Sequence, residues 1–316
     1  MPTPYQRAPR LAREAGLSAL WIKREDLSGP ALGGNKIRQI EYILGAARAA
    51  GADTVLTTAA SQSNFCRALA GCAAQAGFGC RLMLRAAGGT APVGNLLLMR
   101  LFGAEISFTD ATDPWHPDVR AELEAIAGEL RAQGRRPFVV QLPGETAALA
   151  AAAWALAGEE FAADFSRAGE PPDFLAVACG SALTLAGLAL GFARQAIPTR
   201  LLGVSVQQPA ARLVPWVSDV CGRAATLLGW DVGDAMARVA ITDDQIAPGY
   251  ALPSQAGLAA LKLAARTEGL VLDPSYTGKA MAGLLAAAQA GGSAAFLHSG
   301  GAPSLFAQGE AVAAAL

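Results

Sequence analysis

The lysine at position 36 stands in a sequence context that points to chemistry. In ALGGNKIRQIEYIL, residues 31–44, it follows two glycines and an asparagine where a loop passes into an amphipathic helix. A cation is unfavourable in the first turn, because this end of a helix carries the positive end of the helix dipole. Gly33 and Gly34 would let the backbone come close to a bulky group. A solvated surface lysine is the competing interpretation.

The segment TTAASQSNFCRALAG, residues 57–71, runs from a predicted strand into a predicted helix. Ser63 or Asn64 can cap this helix by accepting a hydrogen bond from an N–H group of its first turn. The other free N–H groups, together with the neighbouring serine, glutamine and asparagine side chains, can bind a carboxylate. Ordinary helix capping would also explain the pattern.

A similar junction occurs in VACGSALTLAGLALG, residues 177–191. A predicted strand leads to Gly180 and Ser181, and the first turn of the next helix carries Thr184. Backbone amides and hydroxyl groups converge there, where the helix dipole favours an anion, so the segment can bind a phosphate. It has neither the lysine of a P-loop nor the glycine pattern of a dinucleotide-binding fold.

Two glycine-marked turns further along the chain also lead into helices. LDPSYTGKAMAGL, residues 272–284, carries Tyr276 and Thr277, and FLHSGGAPSLF, residues 296–306, carries Ser299. All three side chains could project into a cleft. A turn with a helix cap explains either segment alone, but four such junctions and an interior lysine together favour a binding site.

Strand-like and helix-like segments alternate along almost the whole chain. This order is typical of parallel sheets covered by helices on both faces, in which ligands bind beyond the carboxyl ends of the strands. We predict an α/β fold with a large domain of residues 1–50 and 156–316 and a small domain of residues 51–155. Helical periodicity occurs in residues 63–77 and 144–165. The predicted strands are residues 19–25, 53–58, 79–85, 104–108, 137–142, 174–179, 201–206 and 294–299.

Composition argues against several classes of function. The 316 residues are 53% hydrophobic, with a net charge of -1 and no run of lysine or arginine, so we expect small-molecule partners and no nucleic acid. Five cysteines form no CxxC pair and two histidines are too few for a metal cluster. We expect reduced cysteines in a cytoplasmic protein, without a signal peptide or a membrane span. The proline-bounded His116 is expected in a surface loop.

Four segments together resemble one enzyme family. KREDLSGPALGGNKIRQIEYIL, SQSNFCRALA, DPSYTGKAMAGL and FLHSGGAPSLF occur in this order between about residues 20 and 306. They resemble the pyridoxal-phosphate enzymes of the 1-aminocyclopropane-1-carboxylate deaminase and D-cysteine desulfhydrase family. The resemblance implies the tryptophan-synthase-β-like fold (fold type II), with open twisted parallel sheets. It also implies a pyridoxal 5′-phosphate cofactor bound mainly by the large domain, a small amino-acid substrate and a homodimer.

The resemblance assigns roles to individual residues. Lys36 matches the lysine that bonds to the cofactor aldehyde, and a desolvated, electropositive site would lower the pKa of its amine. Asn64 matches the asparagine that hydrogen-bonds the ring hydroxyl. Catalytic roles fall on Lys36, Ser63, Tyr250 and Tyr276. The substrate site comprises Ser61, Gln62, Ser63, Asn64, Phe65 and Tyr276. Other cofactor contacts fall on Gly180, Ser181, Ala182, Leu183, Thr184, Thr277 and Ser299.

Position 277 separates two branches of the family that the sequence resembles. The deaminase branch has glutamate after the tyrosine, and that carboxylate can keep the pyridine nitrogen of the cofactor protonated. Here Thr277 or Ser299 would give the nitrogen a neutral hydroxyl group. A neutral ring suits β-elimination, because negative charge leaves with the departing group. Deaminase activity is correspondingly disfavoured.

Three positions depart from the family pattern. Phe65 replaces the histidine or glutamine that commonly follows Ser-Asn, and Ala182 and Leu183 replace the usual glycines of the phosphate loop. Non-glycine residues there restrict the approach of the backbone to a phosphate. These changes suggest a substrate different from the best-known ones.

The leading hypothesis is a lyase that performs α,β-elimination on a small β-substituted amino acid. It would release pyruvate, ammonia and the β-substituent, which is sulfide in the case of D-cysteine. The alternatives are an L-cysteate sulfo-lyase, a deaminase that opens a cyclopropane ring, a β-replacement synthase and a catalytically silent protein that binds pyridoxal phosphate.

Overall fold

The computed structural model describes residues 2–86, 89–111 and 117–315. His116, expected in a surface loop, lies outside these ranges. The strands within them are Tyr5–Arg7 (β1), Ala19–Lys23 (β2), Thr54–Ala60 (β3), Gly79–Arg85 (β4), Glu105–Thr109 (β5), Pro137–Val140 (β6), Phe174–Cys179 (β7), Arg200–Ser205 (β8), Val239–Thr242 (β9) and Ser293–Leu297 (β10).

The strands form two sheets. A six-stranded sheet has the order β1-β2-β10-β7-β8-β9, and a four-stranded sheet has the order β5-β4-β3-β6. Every pair is parallel except β1 with β2. This architecture confirms the predicted α/β fold. The prediction missed β1 and β9, the short strands at the two edges of the larger sheet.

Helices connect the strands. Among the described helices, none has both the length and the apolar composition that crossing a membrane requires. The helices are Pro9–Glu14 (α1), Lys36–Ala49 (α2), Asn64–Ala76 (α3), Gly94–Leu101 (α4), Pro117–Ala132 (α5), Ala147–Leu156 (α6), Gly158–Ala168 (α7), Leu183–Arg194 (α8), Ala210–Leu228 (α9), Gln255–Glu268 (α10), Thr277–Ala287 (α11), Ala302–Ala307 (α12) and Gly309–Ala313 (α13).

Both faces of the six-stranded sheet are covered. Leu175 and Val177 of β7 belong to one hydrophobic cluster, which includes α8. Phe174 and Ala176 belong to a second cluster, which includes α11. Successive side chains of a strand point to opposite faces, so the two clusters lie on opposite sides of the sheet.

Helix α6 packs closely against α8. A Cβ atom at Gly187 would lie 2.2 Å from the carbonyl oxygen of Ala151, and one at Gly191 would lie 2.4 Å from that of Ala155. The two glycines are four residues apart and therefore share one face of α8. Their lack of a side chain lets the alanine-rich α6 lie directly on this face, which explains the long alanine run in the sequence.

The four strands of the smaller sheet all come from residues 54–140, and strands of the larger sheet precede and follow this segment. Helix α6, which the prediction assigns to the small domain, packs against α2, α8 and α9. The helical window 144–165 is two helices, because the chain turns at Ala157. The domain boundaries near residues 50 and 155 stay a prediction.

A buried ion cluster fixes the first turn of α2. Lys23, with no solvent exposure, forms ion pairs with Glu160 and with Asp164, the latter at 2.6 Å. Arg38 forms ion pairs with Glu25 (2.7 Å) and Glu160 (2.9 Å). Each buried charge has a partner of opposite sign, which limits the cost of its desolvation. The cluster ties α2 to β2 and α7.

Candidate active site

A cavity lies between the two sheets, beside the carboxyl ends of β3 and β7. Ligands of parallel α/β sheets bind at such strand ends. The residues that line it are Asn35, Lys36, Thr58, Ala59, Ala60, Ser63, Asn64, Phe65, Arg85, Leu142, Pro143, Ala178, Gly180, Ser181, Gln207, Tyr250, Tyr276 and Ser299. The residues predicted for the site that do not line it are Ser61, Gln62, Ala182, Leu183, Thr184 and Thr277.

Lys36 is the first residue of α2, and the loop before it sets its position. Gly33 and Gly34 have φ angles of +60° and +108°, which strongly favour glycine. A Cβ at Gly34 would lie 3.1 Å from the carbonyl oxygen of Ser299, and the Asn35 N–H donates to that carbonyl at 3.1 Å. The glycines therefore allow the start of α2 to contact the Ser299 turn, which explains the motif around the lysine.

Only one lysine of this chain reaches the cavity. The sequence contains four lysines, and all of them lie in the described ranges. Lys23 belongs to the buried ion cluster, and Lys279 donates to backbone carbonyls of residues 246–249. Lys262 donates to a backbone carbonyl close to the C-terminal end. Lys36 is therefore the one lysine that can bond to a ligand in this cavity.

The surroundings of Lys36 favour its neutral amine. Burial lowers the pKa of Lys36 to about 8, and the neighbouring Cys179 thiol opposes this effect only in part. No aspartate or glutamate is among the described residues that line the cavity, so no carboxylate there stabilises the ammonium form. A neutral amine is the form that attacks an aldehyde.

The loop before α3 presents polar groups to the cavity. Ser63 is the N-cap of α3, where its Oγ accepts a hydrogen bond from the Cys66 N–H at 3.2 Å. Asn64 and Phe65 follow it and also line the cavity. Phe65 is 3% exposed and belongs at the same time to the hydrophobic core. The replacement of a polar residue at this position thus makes part of the cavity wall apolar.

Ser61 and Gln62 have a different position from the one predicted. The Ser61 N–H donates to the carbonyl of Arg85 at 2.9 Å, and the Gln62 side chain donates to the carbonyl of Val93 at 3.1 Å. The Gln62 Oε1 accepts a hydrogen bond from the N–H of Asn95 at 3.0 Å. These bonds hold the loop to β4 and to the start of α4, and neither side chain lines the cavity.

The predicted phosphate loop has a backbone conformation typical of glycine, although Ala182 and Leu183 replace the usual glycines. Gly180 and Ser181 line the cavity. Ala182 has a φ of +56°, the left-handed conformation that a glycine adopts most readily. Leu183 is fully buried in the core, so its side chain packs away from the cavity. Alanine and leucine at these two positions are therefore compatible with the backbone path of the loop. The first N–H groups of α8 have no partners within the helix.

Thr184 joins the start of α8 to the start of α2. Its Oγ1 accepts hydrogen bonds from Nδ2 of Asn35 (2.9 Å) and Nε2 of Gln39 (3.1 Å). A threonine hydroxyl that accepts two bonds still has its own hydrogen to donate. The bonds position the turn that carries Lys36 beside the predicted phosphate loop.

Two tyrosines contact each other on the cavity wall. The hydroxyl oxygens of Tyr250 and Tyr276 are 2.5 Å apart. Burial raises the pKa of both phenols, while the charge of Arg85 opposes the rise at both. The hydrogen bond between the two hydroxyls lowers the pKa of Tyr250 and raises that of Tyr276. Both groups are therefore neutral near pH 7, and either hydroxyl can donate the hydrogen bond between them.

Thr277 is fully buried away from the cavity, contrary to the contact with the cofactor ring that the sequence suggests. Its hydroxyl donates to Oδ1 of Asp273 (2.7 Å) and accepts from the N–H of Asp273 (2.7 Å). The threonine thus closes the turn that presents Tyr276. Ser299, the other candidate for the ring nitrogen, does line the cavity.

Sequence reasoning missed several residues that line the cavity. Arg85 is 7% exposed and ends β4, and Thr58 lies near the end of the neighbouring β3. A polar residue at the carboxyl end of a parallel strand is the signal that could have identified both. Asn35 and Gln207 complete the polar lining, and no comparable signal marks them.

Comparison with known proteins identifies the family. A model of the pyridoxal-phosphate dependent enzymes matches residues 1–300. The chain belongs to this family. Among the relatives of this pyridoxal-phosphate dependent enzyme is a D-cysteine desulfhydrase of Yersinia pestis (strain Pestoides F), 39% identical over 96% of this chain and 93% of the relative. A D-cysteine desulfhydrase of Klebsiella pneumoniae is also 39% identical, over 97% of this chain and 93% of the relative.

Solved structures agree with the assignment. The crystal structure of an ACC deaminase homologue superposes on this pyridoxal-phosphate dependent enzyme with a TM-score of 0.90, 32% identity, and coverage of 100% of this chain and 94% of the other. An O-ureido-L-serine synthase gives a TM-score of 0.70 at 18% identity, with coverage of 97% and 92%. The second likeness concerns the fold alone. These comparisons confirm the predicted family, the fold and the cofactor.

The cavity fits pyridoxal phosphate. Its lining includes the cationic side chain of Arg85 and no acidic residue among those described, which suits a phosphorylated ligand. A side chain at Gly180 would add a Cβ 3.2 Å from the ring of Tyr276 and narrow the space. The Thr184 hydroxyl has a hydrogen to donate near the N-terminus of α8. One space is thus bordered by a lysine that can bond to an aldehyde, by a cationic side chain and by the N-terminus of a helix.

Proposed function

We propose that this enzyme catalyses α,β-elimination on a small β-substituted amino acid, as a D-cysteine desulfhydrase does. The observation that carries the proposal is that Lys36, the single cavity lysine, has a lowered pKa and lines the same cavity as a pair of neutral tyrosine hydroxyls. The 39% identity to D-cysteine desulfhydrases supports the substrate class.

We assign the cofactor contacts as follows. Lys36 bonds to the cofactor aldehyde, Asn64 donates to the ring oxygen, and the Ser299 hydroxyl contacts the ring nitrogen. The bound cofactor supplies an electron sink that makes the α-proton of the amino acid acidic. The segment from Gly180 to Thr184 binds the phosphate through the N-terminus of α8. Ser299 is uncharged, which suits elimination better than a carboxylate would.

The substrate carboxylate is assigned to the opposite wall. There the N-terminus of α3 offers N–H groups beside Ser63 and Asn64. Arg85 adds a guanidinium on the same wall, because β4 pairs with β3 so that Arg85 lies opposite Ala60. A carboxylate bound there places the α-carbon between this loop and Lys36.

The pKa values favour Lys36 as the base that removes the α-proton. Its neutral amine is well populated near pH 8, whereas Tyr250 and Tyr276 would have to ionise first and burial raises their pKa. The tyrosine pair instead donates hydrogen bonds to the substrate or the departing group. Once the amino group of the substrate has replaced Lys36 on the aldehyde, the freed amine would take the α-proton, the β-substituent would leave with the bonding electrons, and water would convert the remaining three-carbon fragment to pyruvate and ammonia.

A substrate panel tests the proposal. We expect pyruvate and sulfide from D-cysteine, and pyruvate from β-chloro-D-alanine, which has a better leaving group. Pyruvate with sulfite from L-cysteate alone would favour a sulfo-lyase, and 2-oxobutyrate from 1-aminocyclopropane-1-carboxylate would favour a deaminase. Product formation only with an added nucleophile would favour a synthase. A protein that binds the cofactor but turns over none of these compounds would contradict the proposed activity.

The lowered pKa of Lys36 predicts the pH dependence of cofactor capture. Near pH 7.5 roughly a quarter of an amine with pKa 8 is neutral, against about one part in a thousand for an ordinary lysine. Because the neutral form attacks the aldehyde, the capture rate should rise about tenfold per pH unit below pH 8 and level off above it. The visible absorption of apo-protein mixed with pyridoxal phosphate measures this rate. A rate that still rises at pH 10 would contradict the lowered pKa.

We further propose a cytoplasmic homodimer. All five cysteines are buried and unpaired, as expected in a reducing compartment. Leu97 and Leu101 of α4 and Phe306 of α12 are exposed by 51%, 73% and 76%, and the two helices pack together. Large exposed apolar side chains on two neighbouring helices suit contact with a second copy. Light scattering, which measures the mass in solution, tests the dimer.

A further inference from the structure

Asn95, at the start of α4, is fully buried and was not predicted from the sequence to belong to the site. Its side-chain NH₂ group lies near three oxygen atoms. These are the backbone carbonyl of Gln62 (2.8 Å), Oδ1 of Asn64 (2.9 Å) and Oγ of Ser304 (3.1 Å). One side chain therefore contacts the loop before α3, a cavity residue and helix α12.

The backbone carbonyl of Gln62 fixes the orientation of both amides. A carbonyl can only accept, so the atom of Asn95 that faces it must be Nδ2. The atom of Asn64 that faces the same NH₂ group must then be its acceptor, Oδ1. Nδ2 of Asn64 is left as a donor, and it donates to no atom of residues 2–86, 89–111 and 117–315.

The backbone at Gly94 brings Asn95 to this position. Gly94 has a φ of +54°, and a Cβ there would lie 2.7 Å from the Pro303 carbonyl oxygen and 2.8 Å from Oε1 of Gln62. Only glycine accommodates both the conformation and the contact. The Gly94-Asn95 pair thus starts α4 directly against α12 and the loop that carries Asn64.

We propose that Asn95 is a positioning residue that orients the amide of Asn64, so that the Asn64 NH₂ group donates to the ring oxygen of the bound cofactor. This inference rests on the proposed function, which assigns Asn64 to that oxygen. Without Asn95 the Asn64 amide could turn and present its oxygen instead. An oxygen there would repel the negatively charged ring oxygen.

The variant Asn95→Asp tests the proposal with almost no change in shape. Whether ionised or protonated, the new carboxyl group has at most one hydrogen to donate to the three oxygens that face the Asn95 NH₂ group in the wild type. The Asn64 amide must therefore turn its own NH₂ group towards the carboxyl group. We expect the dissociation constant of pyridoxal phosphate for the apo-protein to rise about tenfold or more, the range for a hydrogen bond to a charged group. We also expect a rise in the pKa that is measured by following the visible absorption band of the bound cofactor as the pH changes.

Two comparisons separate positioning from a structural role. Ser304→Ala removes another partner of Asn95 but leaves its bond to Asn64, so it should lower the melting temperature without changing cofactor affinity or the pKa of the band. In an Asn64→Ala background, Asn95→Asp should have no further effect on cofactor affinity, because the two residues act as one unit. Equal effects of Asn95→Asp and Ser304→Ala, or additive effects in the Asn64→Ala background, would overturn the proposal.

A second variant covers the case in which Asn95→Asp does not fold. Asn95→Ser is too short to reach Asn64 and introduces no carboxyl group, so it should weaken cofactor binding several-fold. Wild-type affinity and an unshifted band in either folded variant would refute the role of Asn95. A wild-type protein that forms no visible band with the cofactor would instead refute the proposed function itself.

Discussion

Lys36→Ala is expected to lower kcat/KM for pyruvate release from D-cysteine about a thousandfold or more. The substitution removes both the amine that bonds to the cofactor and the proposed base. No other lysine can replace it, because the remaining three are held in the buried cluster or by backbone carbonyls outside the cavity. Pyruvate formation by the purified holo-protein is the measurement.

The matched control is Lys262→Ala, which removes a partly exposed lysine of α10. It should keep wild-type activity and the visible absorption band that borohydride bleaches. Lys36→Ala should lose that band while its melting temperature stays near that of the apo wild type, because Lys36 forms no ion pair in the described structure. Activity of Lys36→Ala within tenfold of the wild type would disprove the assignment.

Tyr276→Phe is expected to lower kcat about a hundredfold, the lower end of the range for loss of a proton donor. The phenylalanine keeps the ring that packs beside Gly180 and removes only the hydroxyl. Tyr250 then loses its 2.5 Å partner, so its hydroxyl is no longer held in place. KM should change much less than kcat if the hydroxyl acts mainly in the transition state.

A double variant shows whether the tyrosines act together. Tyr250→Phe with Tyr276→Phe should be little slower than Tyr276→Phe alone, since removal of one hydroxyl already breaks the pair. Tyr42→Phe, on the partly exposed face of α2, should leave kcat unchanged. Two single effects that simply multiply in the double variant would show independent roles instead.

The predicted elements of the chain agree closely with the observed ones. The strand predicted at residues 79–85 is Gly79–Arg85, and the one predicted at residues 174–179 is Phe174–Cys179. Both are rich in apolar residues and bounded by turn residues, which single-sequence patterns identify well. The two helices in residues 144–165 were read as one, because alanine-rich sequence gives no periodic signal at the turn near Ala157.

Several residues that the sequence predicts for the site line the cavity, and they stand in local motifs. Lys36, Ser63 and Gly180 each stand at a strand-helix or loop-helix junction that the sequence displays, and each lines the cavity. Thr277 also stands in such a motif, yet its hydroxyl bonds to Asp273 inside the turn. A sequence motif predicts where in the fold a residue lies. The path of the backbone decides whether the side chain of that residue faces the ligand.

By itself the sequence determined the α/β fold, the family and the loop-helix junction that carries Lys36, because these follow from periodicity and from segments that are continuous in the chain. Only the tertiary structure brought Arg85 and Gln207 to the cavity, excluded the other three lysines and joined Asn95 to Asn64 and Ser304. Residues 95 and 304 are 209 positions apart. Their contact depends on how α4 and α12 pack, and no local pattern in the sequence encodes that packing.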